Sequence, residues 1–147
     1  MSAVAQYFEL KPADRRLLNR TFFLVLFVRL WLWLASYHSL SRFLHWLARQ
    51  TRNSSRISMQ YPDRASWAVQ SVSRCIPGAR TCLVEAMALQ FILQRHGIPS
   101  HMQVGVCKDE QGKLRAHAWI ECRGHVVIGG TDLSAYTLLG KPKSQVL

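Results

Sequence analysis

The fold of this chain is decided by residues 81–128, TCLVEAMALQFILQRHGIPSHMQVGVCKDEQGKLRAHAWIECRGHVVI. Apolar residues recur at helical spacing from Leu83 to Leu93, and Gly97 with Pro99 beyond it is typical of a helix end. The pattern then changes to alternation, which predicts strands over residues 101–107, 114–122 and 125–128. This stretch therefore predicts a helix followed by an antiparallel meander.

Helical signals dominate the N-terminal side of this stretch. Pro12 and Asp14 begin a long helix that runs to Leu34, because proline suits the first turn and an acid there complements the helix dipole. Shorter helices are predicted around residues 40–47 and after Pro62. We therefore predict an α+β fold, with a helical N-terminal region over residues 1–58 and a core over residues 59–147. The N-terminal region is either integral to the domain or a surface that docks a partner.

Composition indicates one folded domain. Of 147 residues, 49% are hydrophobic and 18% are charged, which excludes a disordered, collagenous or low-complexity chain. The four cysteines form no CxxC pair, so zinc-ribbon and thioredoxin motifs are excluded, and we expect no metal and no cofactor. The first apolar run begins only at Phe22, so we expect no secretory signal, a cytoplasmic location and free thiols.

The net charge of +11 is concentrated near the N-terminus. Residues 1–60 carry nine Lys and Arg against two acids, a net charge of +7. Such an excess attracts nucleic acid, an anionic membrane or an acidic polypeptide. The basic residues follow no RNP, KH or zinc-finger pattern, so we expect no nucleic-acid partner.

Residues 21–37 are apolar enough to raise the question of a membrane span. Arg29 lies in the middle of this run, and an arginine near the centre of a membrane helix costs about 2.5–3.5 kcal/mol on insertion scales. We favour a helix buried in the domain core or against a partner protein. The following stripe of Leu40, Phe43, Leu44 and Leu47 also suits a core face better than a membrane surface.

Thiol chemistry is predicted at Cys82. A cysteine in the first turn of a helix meets the positive end of the helix dipole, which favours the reactive thiolate. His117 lies on the middle predicted strand, on one face with Trp119 and Glu121. Either residue alone is more often an ordinary core side chain. Together, a helix-start cysteine and a histidine from the adjoining sheet predict a nucleophile and its base.

An ordered set of motifs supports this interpretation: CLVEAMALQ at residues 82–90, RHGIP at 95–99, QVGV at 103–106, AHAWIE at 116–121 and VIGG at 127–130. Over residues 61–137 the chain resembles the stand-alone, transglutaminase-like B proteins of lasso-peptide gene clusters. The resemblance implies a papain/transglutaminase-like fold, in which the central nucleophile helix packs on the antiparallel sheet. It also implies a bacterial cysteine peptidase that removes the leader from a ribosomally made precursor. The implied partners are that precursor, a small leader-recognition protein and an ATP-dependent lasso cyclase.

The carboxylate that orients the histidine is where the chain departs from this family. A two-residue turn at residues 123–124 pairs Ile120 with Val127 and Ala118 with Gly129, and the family's aspartate falls near that glycine. Asp132 lies a few residues further on and is our candidate orienting residue. The alternative for Asp132 is a solvated turn aspartate.

Two further roles remain open from the sequence. The backbone N–H of Cys82 and one donor from residues 67–80 are the expected oxyanion hole. The missing aspartate also leaves room for a catalytically silent peptide-binding module. A third hypothesis is a membrane-surface accessory protein anchored by residues 20–49.

Overall fold

The computed structural model describes residues 7–52, 58–78, 81–130 and 132–139. In this part of the chain, four long helices precede a small sheet, which confirms the predicted α+β class. The elements in order are α1 (Pro12–Leu34), α2 (Tyr37–Gln50), α3 (Tyr61–Ser73), α4 (Cys82–Arg95), β1 (Ser100–Lys108), β2 (Leu114–Cys122), β3 (His125–Ile128), a 3-10 turn (Leu133–Ala135) and β4 (Thr137–Leu138).

The helix boundaries follow from local signals. Pro12 begins α1, and Asp14 in its first turn pairs with Arg64 of α3. The Thr81 hydroxyl caps α4 by accepting the Val84 N–H at 3.3 Å. At the other end of α4 the chain turns at Gly97, whose φ of +68° favours glycine.

The four strands lie in the order β3-β2-β1-β4, and every neighbouring pair is antiparallel. Our prediction covered the β1-β2-β3 meander, and the strand limits of β2 and β3 are confirmed. The sequence analysis missed β4, because two residues are too few to show an alternating pattern. β4 brings Leu138 opposite Gly105 and so carries the preceding residues across the sheet.

The register between β2 and β3 corrects one prediction. Cys122 pairs with His125 as expected, but a bulge follows and Ile120 pairs with Ile128 instead of Val127. The Ser66 hydroxyl of α3 donates to the Val127 carbonyl at 2.5 Å, which gives the bulged segment a partner outside the sheet. The bulge shifts everything beyond Ile128 by one residue relative to β2.

The core forms around α4. Leu89 and Leu93 of α4 and Ile120 of β2 are fully buried together. The N-terminal helices contribute to the same core through the wholly buried residues Val25, Val28 and Leu40. Leu44 is buried as well, so the predicted core stripe on α2 is confirmed.

The outer face of α1 is apolar and exposed. Phe23, Trp33 and Leu34 are each at least 70% exposed. By length and apolarity, α1 is the one helix of the described residues that could cross a membrane, and 17% of its most apolar window is buried. Core helices and N-terminal signal sequences meet the same criterion, so the length and apolarity of α1 do not show a membrane span. One face of α1 is buried in the domain, and the opposite face is exposed.

Candidate active site

Cys82 is the first residue of α4, as predicted. Its thiol is half-buried, and the preceding residue, Thr81, caps the helix. The first amides of a helix have no carbonyl partner within the helix, so their N–H groups and the helix dipole favour negative charge at this end. This environment suits an oxyanion that forms next to the helix start.

The other thiols have different surroundings, and all four cysteines are free. Cys75 is exposed and its thiol donates to the Ser71 carbonyl at 3.6 Å. Cys122 is buried, and its thiol donates to the Pro99 carbonyl at 3.4 Å. Burial raises the pKa of Cys122, which makes it a structural thiol.

His117 lies on β2 with its ring half-buried. As predicted, it shares a face with Trp119 and Glu121: the His117 and Trp119 rings stack at 6.1 Å, and the Trp119 indole donates to Glu121 at 3.1 Å. The opposite face of β2 carries Ala118 and Ile120 into the core. The imidazole therefore packs on Trp119, on the sheet face opposite to Ala118 and Ile120.

One nitrogen of the His117 ring is engaged by the backbone. Its Nε2 atom lies 2.7 Å from the Gly129 carbonyl oxygen, just beyond β3. A carbonyl only accepts hydrogen bonds, so Nε2 carries the hydrogen in this contact. The ring is thereby oriented by a main-chain group.

Tyr136 is a site residue that the sequence analysis missed. Its ring lies 5.4 Å from the His117 ring and 6.4 Å from the Trp119 ring, measured between centroids. The pKa of Tyr136 is raised, first by a hydrogen bond with Cys107, then by burial, and also by the charges of Cys107 and Cys82. Tyr136 is thus a neighbour of both the His117 and the Trp119 rings.

No sequence signal marks Tyr136. It stands between a 3-10 turn and the two-residue β4, where neither helical nor strand periodicity exists. The missing side chain of Gly105 makes its position possible, because a Cβ there would lie 2.9 Å from the Tyr136 Cβ. Only the pairing of β4 with β1 brings this tyrosine over the site.

Asp132 is exposed, and its carboxylate accepts a hydrogen bond from the Ser134 hydroxyl at 2.5 Å. It directly precedes the 3-10 turn that leads to Tyr136. The His117 ring donates its hydrogen bond to the Gly129 carbonyl. The orienting role of Asp132 stays a prediction.

Outside this region, a cavity of about 640 Å³ lies where the C-terminal ends of α2 and α4 meet the start of β1. Arg49, Arg52 and His101 are among its lining residues, and none of the predicted site residues is. Arg49 is in the last turn of α2, where a basic side chain complements the negative end of the helix dipole. In the described ranges, no three His, Cys, Asp or Glu residues are grouped so that they could hold a metal ion.

Comparison with known proteins places this chain in a family. The sequence profile of the Transglutaminase-like superfamily matches residues 23–140, which include the helix start at Cys82, the strand at His117 and Tyr136. No curated protein and no solved structure gives a significant match. The family match covers well over half of the chain and includes the central helix and the whole sheet. The chain therefore belongs to the transglutaminase-like superfamily.

Proposed function

We propose that this protein is a cysteine peptidase in which Cys82 is the nucleophile and His117 the general base. The observation that supports it most is the pair of environments within one transglutaminase-like domain: a thiol at a capped helix start, and an imidazole with one nitrogen already engaged. Tyr136 packs against the ring of the proposed base.

The proposed reaction has two stages. In the first, the Cys82 thiol passes its proton to His117 Nδ1 while Sγ attacks the scissile carbonyl carbon. The C–N bond breaks as the leaving amine takes that proton from His117, which leaves a thioester. In the second, water attacks the thioester, gives one proton to His117, and releases the new carboxyl end as the thiol is restored. The Cys82 N–H stabilises the oxyanion in both stages.

We propose that the substrate is a lasso-peptide precursor, from which the enzyme removes the leader in the bacterial cytoplasm. The support is the ordered motif set at residues 82–130, which resembles the stand-alone B proteins of lasso clusters. The partners in this proposal are the precursor, a small leader-recognition protein that presents it, and a cyclase that closes the macrolactam on the freed amine. No nucleic acid, metal or cofactor takes part in the proposed reaction.

We propose that the leader-recognition protein docks on residues 15–49. One exposed stripe runs along α1, and its residues are spaced alternately four and three positions apart. They are Arg16, Arg20, Phe23, Phe27, Leu30 and Leu34. Such spacing is typical of a seam that packs against another helix. Residues 15–60 contain no Asp or Glu, so the stripe and its surroundings favour an acidic partner. A lipid surface is the alternative occupant of the same face.

Mass spectrometry of the precursor encoded nearby tests the proposed function. We expect that the wild-type chain with its recognition partner splits the precursor into two fragments whose masses sum to that of the precursor plus one water. Cys82→Ala should give no fragments, whereas Cys75→Ala, at an exposed thiol away from the helix start, should cleave normally. An intact precursor after incubation with the wild-type pair would refute the peptidase proposal.

The rival function is a catalytically silent module that only holds peptide. The binding-module hypothesis is favoured by the glycines at positions 129 and 130, where no acidic side chain is available to orient His117. Maturation of the lasso peptide in cells distinguishes the two functions, because a binding module would keep working with Cys82→Ala. A peptidase would not.

A further inference from the structure

The His117 ring has a fixed orientation before any substrate is present. Its Nε2 atom donates to the Gly129 carbonyl at 2.7 Å, while Trp119 and Tyr136 lie against the ring at 6.1 and 5.4 Å between centroids. A neutral imidazole carries one N–H, so donation from Nε2 leaves Nδ1 without a proton. Nδ1 is then the nitrogen that is able to accept the proton of a thiol.

The Gly129 carbonyl reaches the ring because of two features of the backbone. The bulge between β2 and β3 shifts the chain by one residue, which moves position 129 relative to β2. At Gly129 the backbone then turns with a φ of +76°. A Cβ at this position would lie 2.7 Å from the Ala118 carbonyl oxygen and 2.9 Å from the Trp119 Cβ, so only glycine fits.

We infer that the main-chain carbonyl of Gly129 is the group that orients His117, in the place where a carboxylate side chain stands in related sites. The inference rests on the proposed function of His117 as the base. Because the third member of a catalytic triad mainly fixes the tautomer and direction of the histidine, a neutral acceptor is sufficient for this task. Gly129 is thus a positioning residue that acts through its backbone.

This inference fits a glycine at the place where the resemblance to the lasso B proteins leads us to expect an acid. A side chain at position 129 would push the chain away from Ala118 and carry the carbonyl with it. Asp132, whose carboxylate is engaged by Ser134, would have to displace the carbonyl to reach Nε2. An orienting carbonyl therefore makes an orienting carboxylate unnecessary.

Nitrogen-15 NMR of the imidazole in the full-length wild-type protein tests the inference without any substrate. We expect His117 to be the Nε2–H tautomer, with an Nε2 proton that is protected from exchange and an unprotonated Nδ1. The Nδ1–H tautomer, or an Nε2 proton that exchanges as fast as that of the exposed His101, would overturn the inference. This measurement needs no variant, so it holds even if substitutions at Gly129 prevent folding.

Substitutions of three glycines supply the kinetic test. Gly129→Ala should mix the two tautomers and lower precursor cleavage on the order of 100-fold, since a misplacement of about 1 Å has that cost. Gly124→Ala is the matched control: its φ is +80°, but nothing lies within 4 Å of the added methyl group. Gly130→Ala controls for a neighbouring change, with only Val126 in ordinary contact at 3.6 Å.

The outcomes separate this inference from the proposed function. A protected Nε2–H in a protein that cleaves no precursor would refute the peptidase proposal and leave the carbonyl contact in place. Cleavage by a protein whose His117 is the Nδ1–H tautomer would refute the orienting role alone. Normal cleavage and an unchanged tautomer in Gly129→Ala would also refute that role.

Discussion

The Tyr136 ring lies 5.4 Å from the imidazole of His117 between centroids, although the two residues are nineteen positions apart along the chain. The pairing of β4 brings the two rings together. β4 pairs with β1, and β1 also pairs with β2, the strand that carries His117. The pKa of Tyr136 is raised, chiefly by its hydrogen bond with Cys107. Tyr136 therefore presents its ring to the proposed base, while its hydroxyl is engaged by Cys107.

Substitution of Tyr136 separates the contribution of its ring from that of its hydroxyl. Tyr136→Phe keeps the ring against His117 and Trp119, so we expect cleavage close to that of the wild type. Tyr136→Ala removes these ring contacts. It should lower kcat about tenfold, since a less ordered imidazole is less often in the position that proton transfer requires. Steady-state cleavage of the precursor provides the measurement. Equal loss in the two variants would instead give the hydroxyl a direct role.

Cys82→Ala and His117→Ala should each reduce cleavage by at least about a thousandfold, because nucleophile and base act as one unit. The double variant should be no worse than either single one for the same reason. Single-turnover assays measure the rates, and circular dichroism checks that each variant folds. Residual wild-type cleavage in Cys82→Ala would remove this residue from the mechanism.

Asp132→Ala should leave cleavage unchanged, since the Gly129 carbonyl already engages Nε2 of His117. Loss of the hydrogen bond from Ser134 is confined to an exposed turn and should have little effect on stability. The kcat of the variant is the quantity to measure. A drop of about tenfold or more would assign the orienting role to Asp132 instead.

Two tryptophans of α1 test the docking proposal. Trp33 is 72% exposed, whereas Trp31 stacks on Phe43 at 5.3 Å and donates to the Ser39 hydroxyl at 3.2 Å. Trp33 adjoins Leu34 at the end of the exposed stripe, so Trp33→Ala should weaken binding of the recognition protein and leave the melting temperature unchanged. Trp31→Ala should instead destabilise the fold, by about 1–3 kcal/mol. Surface plasmon resonance and thermal unfolding give the two quantities.

The charge of the same face predicts a salt effect. Added salt should slow association of the partner more than it speeds dissociation, because charge steers the encounter and apolar contact holds the complex. Arg29 does not contribute to this face, since its guanidinium lies against Gly78 beneath the helix. Unchanged affinity in Trp33→Ala, or binding to anionic vesicles in place of the recognition protein, would contradict the docking proposal.

Asp109 predicts a pH dependence of stability. Its pKa is lowered, first by the hydrogen bond from the Lys113 N–H, and also by the Gln111 N–H and the charge of Arg115. A carboxylate with a lowered pKa stabilises the fold above its unfolded pKa, and the contribution disappears as the pH falls through its folded pKa. Asp109→Asn should therefore lower the melting temperature at pH 7. The difference from wild type should shrink as the pH falls below the ordinary pKa of an aspartate and through the lowered pKa of Asp109.

Local chemistry allowed much of this protein to be predicted from its sequence. Pro12 and the polar cap at Thr81 mark where helices begin, and alternation along residues 114–122 sets the face of β2 that carries His117. These signals depend on neighbours within a few residues, so they are readable without the fold. Cys82 and His117 could be named for the same reason.

The tertiary structure decided what surrounds those two residues. The bulge at Val127, held by Ser66 from a distant helix, sets which carbonyl faces His117, and the pairing of β4 delivers Tyr136. Both depend on contacts between segments far apart in the chain, and neither leaves a periodic pattern. A backbone carbonyl is present at every residue, so no residue type in the sequence marks the one at Gly129 as the group that orients the base.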